Sequence, residues 1–153
     1  MLQYNKKMAF YIVLAIFFVS LDRFFKIFAL NYLSDNKILL FGDIFGLSLA
    51  KNYNIAFSLP VSGPILLVFI SIIILILGVY WLYLFKKAEI NKTICLTFCL
   101  FGAISNIVDR FKYGYVVDYL DLKYFTVFNL ADVMIICGVF CLLFINIYKN
   151  DGK

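Results

Sequence analysis

The sequence predicts a mainly α-helical integral membrane fold: four transmembrane helices, with a small extracytoplasmic β-element in the loop between the first two. Three observations carry this. Of 153 residues, 65% are hydrophobic and only 15% charged, and mean hydropathy is +0.97, a balance that water-soluble domains do not have. Four apolar segments, Met8–Leu21, Ile65–Phe85, Thr93–Val108 and Val133–Tyr148, are separated by polar stretches. The loop from Asn31 to Leu59 is the one sizeable piece outside them. The length suits a single membrane domain, residues 1–153, with spans near 8–28, 62–85, 93–111 and 127–148.

Lys6 and Lys7 precede the first apolar run in the manner of a secretory signal. The run ends in Val19-Ser20-Leu21-Asp22 without a small-x-small cleavage site, so a retained first span is expected. In the loop, Ile38 to Asp43 and Phe45 to Leu49 read as two short strands around a Gly-Asp turn. Pro60, Gly63 and Pro64 punctuate the start of the second helix, and Tyr80, Trp81 and Tyr83 mark its far end as an interfacial belt. The second segment alone reaches the ~20 residues a span needs without including a charge. The other three reach it only through Asp22, through Asp109, or back through Asp132. Four successive crossings put those three acids at one membrane face.

Lys6, Lys7, Lys86, Lys87, Lys92, Lys149 and Lys153 fall on one side of the bilayer; Arg23, Lys26, Lys37, Lys51, Arg110, Lys112 and Lys123 fall on the other. The tally is even. The first set forms compact clusters against span ends and the second alternates with acids, so both termini are expected in the cytoplasm. The net charge of +5 belongs to topology and lipid headgroups; no basic stripe with interleaved aromatics suggests nucleic acid. The chain has no histidine, which excludes a Ser-His-Asp constellation. Cys95/Cys99 and Cys137/Cys141 lie at i,i+4 and read as small apolar residues of lipid-embedded helices.

The polar face gathers Asp22, Lys26, Asn52, Asn106, Asp109, Arg110, Asp118, Asn129 and Asp132. Ionisable residues inside a membrane are expensive and point to function. Asp22 and Lys26 share a helix face and can pair; Asn106, Asp109 and Arg110 project within one turn, and both groups read as stitching between helix ends. Asp118 has no basic residue within three positions, and its neighbours Val116, Val117 and Tyr119 are apolar. Asn129 stands one turn before Asp132, where it can cap the helix or hold the carboxylate. Two carboxylates brought close at a dry interface cannot easily both ionise. Such a pair supplies a base for water and an acid for a carbonyl or a leaving amine. Asp22, Asp109, Asp118 and Asp132 are also the residues that would hold a divalent metal.

Five blocks, in order, carry a family resemblance. Asp22 to Lys26 looks like an Asp-x-x-x-Lys motif, and Asn52 to Ser58 is similar to Asn-x-Gly-x-Ala-Phe-Ser. Asn106 to Arg110 matches Asn-x-x-Asp-Arg, Gly114 to Tyr119 matches Gly-x-Val-x-Asp-Phe, and Phe128 to Asp132 matches Phe-Asn-x-Ala-Asp. Across nearly its whole length the chain resembles the lipoprotein signal peptidases, or signal peptidase II. The resemblance implies an aspartic endopeptidase of the bacterial cytoplasmic membrane, cutting diacylglyceryl-modified prolipoproteins just before the lipidated cysteine. Asp118 and Asp132 would be the catalytic pair. Asn52, Asn106, Asp109, Arg110 and Asn129 would organise the site or bind substrate, and Asp22 with Lys26 would support the first helix. The loop strands would cradle the substrate at the outer face. Neither metal nor organic cofactor is expected, since the second substrate is water; the partners are prolipoprotein and membrane lipid, and a monomer is expected. The chain departs from the pattern at Asn54 and Ser105, where glycine is usual, at Thr126, and in a short Asp118–Asp132 connection. The alternative from composition alone is a small ion-coupled transporter or channel subunit, whose carboxylates would relay protons.

Overall fold

The computed structural model describes residues 2–34, 36–54 and 63–150. Ile55 to Ser58 of the second block, Pro60 and Lys153 lie outside the described residues. The order is α1 (Leu2–Tyr32), β1 (Ile38–Phe41), β2 (Phe45–Asn52), α2 (Pro64–Lys86), α3 (Ile90–Tyr113), β3 (Val116–Leu122), β4 (Val127–Phe128) and α4 (Leu130–Asn150). All four helices are long and apolar enough to cross a membrane, as the hydropathy implies.

The small sheet is present and larger than the loop strands alone. Its order is β1-β2-β3-β4, antiparallel throughout, and its last two strands come from the α3–α4 connection. Sequence reading missed them because Val116–Leu122 sits just before an apolar helix and its own pattern is nearly continuous, buried from Val116 to Tyr119. Its partner β2 aligns Lys51 with Val117 and Ala50 with Asp118.

Helix α1 runs through Asp22 and Lys26 without a break, since the two charges meet on one buried face. Helix α2 starts at Pro64, where the missing N–H costs nothing. Its apolar side chains mostly face outward: 6% of its most apolar window is buried, against 50% for α3. In lipid that outward face is the solvated one. Helix α3 is therefore the centre of the bundle, touching each of the other helices. It ends at Gly114, whose φ of 79° is the left-handed conformation that lets its N–H cap the carbonyl of Arg110 at 3.0 Å. That reversal sends the chain straight into β3.

Two cores separate the ends of the molecule. At one end Leu84, Leu96, Cys99 and Leu100 pack with Leu77 and Trp81. Tyr80 and Tyr83 are exposed there, as a belt requires, whereas Trp81 turns toward the bundle and donates its indole N–H to Thr97 Oγ1 at 2.8 Å. At the other end Ala29 of α1 and Leu33, just past its end, pack with Val117 and Tyr119 of β3. The sheet thus sits against the end where α1 and α3 finish and α4 begins. The four cysteines are free thiols.

Helices α3 and α4 approach closely at glycines. A Cβ on Gly102 would lie 2.5 Å from the Ala131 carbonyl and 2.9 Å from Ile135 Cγ1. One on Gly138 would collide with the Cys99 thiol. On α2, by contrast, a Cβ on Gly78 would meet nothing within 4 Å. Gly102→Ala is expected to cost about 1–3 kcal/mol, because the obstacle is backbone and α4 must move. Gly78→Ala is expected to be neutral or to stabilise by up to about 1 kcal/mol. Thermal unfolding in detergent separates the two; equal midpoints would mean that the glycine contact does not set the α3–α4 spacing.

Candidate active site

The site is built where α4 starts. Asn129 precedes the helix, and its Oδ1 accepts the backbone N–H of Asp132 at 2.9 Å. Asp132 Oδ2 accepts the backbone N–H of Asn129 at 3.2 Å in return. This is a reciprocal capping box that uses Asn and Asp in place of Ser and Glu. The helix start therefore fixes the Asp132 carboxylate before any tertiary contact does. Its other oxygen accepts the side-chain N–H of Asn106 at 2.7 Å, from about two turns before the end of α3.

Asp118 lies on β3 and is 1% exposed. Its Oδ1 accepts the Asn129 amide at 2.5 Å, and its Oδ2 accepts the Asn52 amide at 3.1 Å. Asn52 reaches it because the two residues are diagonal neighbours on one face of the β2–β3 ladder. Asn129 is thus shared: its side chain holds Asp118 while its backbone and carbonyl oxygen hold Asp132. The same amide approaches the Asn106 Oδ1 at 3.2 Å and the Val117 carbonyl at 3.4 Å. Burial and, after it, the nearby Asp132 together push the Asp118 carboxyl up to about 7, against the pull of the Asn52 and Asn129 amides and Lys26.

Below this pair lies a buried ionic layer. Lys26, 1% exposed, places Nζ 2.9 Å from Asp22 Oδ2 and 2.8 Å from Asp109 Oδ2, and donates to Asn106 Oδ1 at 2.8 Å. Three acceptors match the three protons of an ammonium. Asp109 Oδ2 also accepts the Val117 N–H at 3.3 Å, which ties α3 to β3. Arg23 NH1 lies 2.7 Å from Asp109 Oδ1, an ion pair not aligned as a hydrogen bond, while its NH2 donates to the Ser105 carbonyl at 3.0 Å. Two cations thus face two anions across α1 and α3, and the layer is near neutral.

Of the residues singled out in the sequence, Asn52, Asn106, Asp109, Asp118, Asn129 and Asp132 join Asp22 and Lys26 in one connected network. Arg110 stands at its rim: its NH2 donates to the Asn54 carbonyl at 3.0 Å, and its buried Nε has no partner among the described residues. Asn54 sits where a glycine was expected. It does so without a positive φ, which among described non-glycine residues only Ala88 and Tyr124 adopt; its N–H folds back onto Asn52 Oδ1 at 3.1 Å. Sequence reading missed Arg23, Ser105 and Tyr119. Sequence reading places Arg23 only in the topology tally, among basic residues that alternate with acids, although it neighbours Asp22. Ser105 and Tyr119 each adjoin a singled-out residue and carry a hydroxyl in an apolar stretch, which is the signal that would have found them.

An unpaired buried carboxylate is far more costly than a missing surface contact, so the layer is expected to be intolerant of partial removal. Lys26→Met should destabilise the protein by about 3–5 kcal/mol. Lys37→Met, which removes the exposed Lys37–Asp121 pair at 2.8 Å, should cost about 0–1 kcal/mol. Unfolding midpoints in detergent test this, and a mild Lys26→Met would contradict it.

Comparison with known proteins agrees with this architecture. Residues 14–148 match the family model described as signal peptidase (SPase) II. A lipoprotein signal peptidase of Clostridium tetani is 33% identical, over 92% of this chain and 94% of its own. One of Caldicellulosiruptor bescii is 34% identical, over 95% of each chain. A solved bacterial membrane enzyme superposes with a TM-score of 0.83 at 24% identity, covering 95% of this chain and 92% of that one, a likeness of fold. The chain is a multi-pass membrane protein and belongs to the signal peptidase II family of aspartic endopeptidases.

Proposed function

We propose that this chain removes signal peptides from diacylglyceryl-modified prolipoproteins, with Asp118 and Asp132 as the catalytic pair. The observation that carries the reading is the shared Asn129, which bonds both carboxylates at once. No other two carboxyl groups of the network are free of cations: Asp22 and Asp109 are both neutralised by Lys26 and Arg23. The pair keeps one proton near neutrality because the second ionisation would put two negative charges side by side in a dry site.

In the reaction the ionised carboxylate takes a proton from water as the water oxygen bonds to the scissile carbonyl carbon. The protonated partner gives its proton to the carbonyl oxygen. The tetrahedral gem-diol then collapses: the C–N bond breaks, the proton taken from water leaves with the amine of the lipidated cysteine, and one gem-diol hydroxyl returns its proton to the partner carboxylate as the new carboxyl group forms, which restores the singly protonated pair. Arg110 Nε, which has no partner among the described residues, would donate to a substrate carbonyl at the rim. Substrate anchored by two acyl chains reaches the pair in few orientations, which lowers the entropic part of the barrier.

The membrane orientation follows the same reading, with both termini cytoplasmic and the site near the outer face. Basic residues at the site end are largely taken up by acids: Lys26 and Arg23 in the ionic layer, Lys37 by Asp121 and Lys123 by Asp43. Lys6, Lys7, Lys86, Lys87 and Lys92 cluster at the opposite end, where positive-inside counting places the cytoplasm.

Asp118→Asn and Asp132→Asn, each shown to be folded, should lose cleavage of a diacylglyceryl lipobox peptide by on the order of 10³-fold or more. Cleavage that survives in either variant would move the chemistry to another acid, and proton-dependent flux without cleavage would favour a transporter. The pH dependence has a definite sign. The Asp118 carboxyl is raised to about 7, so activity that needs its proton should fall as pH rises through that value. The same raised value means that its contribution to stability is fully present below the unfolded carboxyl value, ~4, and is lost as pH rises to about 7. A cleavage rate that stays flat well above neutrality, with chemistry limiting, would contradict the shared proton.

A further inference from the structure

Asp22 is fully buried and is held by more than its cation. Ser105 Oγ donates to Asp22 Oδ2 at 2.6 Å. The Tyr119 hydroxyl donates to Asp22 Oδ1 at 3.2 Å, and the Ala131 N–H donates to the same oxygen at 3.3 Å. The Tyr119 oxygen in turn accepts the Leu130 N–H at 3.3 Å. The first N–H groups of a helix have no partner within the helix. Here the first two of α4 are taken by Tyr119 and by the carboxylate that Tyr119 itself holds.

Tyr119 follows Asp118 on β3, and Leu130 and Ala131 lead directly to Asp132 on α4. The hydroxyl therefore closes a ring: strand β3, Tyr119, Asp22, the first turn of α4. It is 1% exposed, and its ring stacks on Phe25 of α1 with centroids 5.5 Å apart, so it has little freedom to follow a shift of either element. Burial and the adjacent Asp22 carboxylate raise the phenol further above its ordinary value, which keeps it a donor at every pH of interest. Ser105 acts on the other oxygen of Asp22 from α3, one residue before Asn106, the donor to Asp132. Both hydroxyls stand at places where the resemblance has no hydroxyl, glycine for Ser105 and phenylalanine for Tyr119, and both converge on the same carboxylate.

We propose that Ser105 and Tyr119 are positioning residues, which through Asp22 fix the separation of the strand carrying Asp118 from the helix carrying Asp132. The inference rests on the reading of those two acids as the reacting pair. Neither hydroxyl touches the reacting groups, so its loss should loosen the pair without altering substrate binding.

The test uses the full chain in detergent with a diacylglyceryl lipobox peptide, comparing wild type with Tyr119→Phe, Ser105→Ala and the double variant. Each single variant should lower kcat roughly fivefold to thirtyfold with KM within about twofold. Their effects should not multiply in the double variant, because both act on one carboxylate. The alkaline limb of the kcat profile should move to lower pH in each, since carboxylates held less closely repel less and release the shared proton more readily. Unchanged kcat in both single variants, with wild type active, overturns the inference alone. So does a loss of kcat that tracks the fall in unfolding midpoint while the alkaline limb stays in place, which is the signature of a structural role only. A wild type that cleaves nothing under conditions where a control peptidase works removes the underlying reading as well.

Discussion

The Lys26 ammonium lies where α1, α3 and the strand leaving α3 converge, between Asp22, Asp109 and the Asn106 oxygen. Much of the site depends on this contact. A bare ammonium or carboxylate at that depth would be prohibitive, so the two helices that supply the layer must come together or not fold. Once they do, each partner has a second task. Asp109 receives the Val117 N–H and so sets the start of β3. Asn106, with its oxygen occupied by Lys26, turns its N–H toward Asp132. Asp22 takes an N–H from the first turn of α4.

The consequence is a division of labour between two kinds of acid. Asp22 and Asp109 are neutralised by cations and serve as fixed acceptors. Asp118 and Asp132 receive only neutral amide and backbone donors among the described residues, and so retain chemistry that a salt bridge would quench. Asparagines do this better than lysine or arginine would. An amide orients a carboxylate without cancelling its charge, and its carbonyl oxygen remains available to relay the orientation to the next residue. Asn129 uses both ends in this way, and so does Asn106.

Much of this was legible in the sequence, for reasons that differ by element. The spans follow from apolar runs, and the common end of Asp22, Asp109 and Asp132 follows from counting crossings. The Asn129–Asp132 relation follows from helix-start chemistry at a spacing of three. The meeting of Asp118 with Asp132 does not follow from spacing, because it depends on β3 pairing with β2, a long-range ladder that joins residues 45–52 to 116–122. That strand was hidden: its alternation is masked when both faces are covered, by α1 on one side and by the site on the other. The roles of Ser105 and Tyr119 were hidden differently. A single hydroxyl in an apolar helix or strand reads as neutral until the carboxylate it serves is seen, here across more than eighty residues.

The central claim is that Asp118 and Asp132 behave as one pair with a shared proton. Infrared difference titration of the carboxylic C=O stretch, on wild type, Asp118→Asn and Asp132→Asn in detergent, addresses it without substrate. One protonated carboxyl should titrate near 7 in the wild type, be absent from Asp118→Asn, and titrate at lower pH in Asp132→Asn, where the neighbouring charge is gone. A wild type with no carboxyl titrating near neutrality, or a band that survives Asp118→Asn unchanged, would contradict the account.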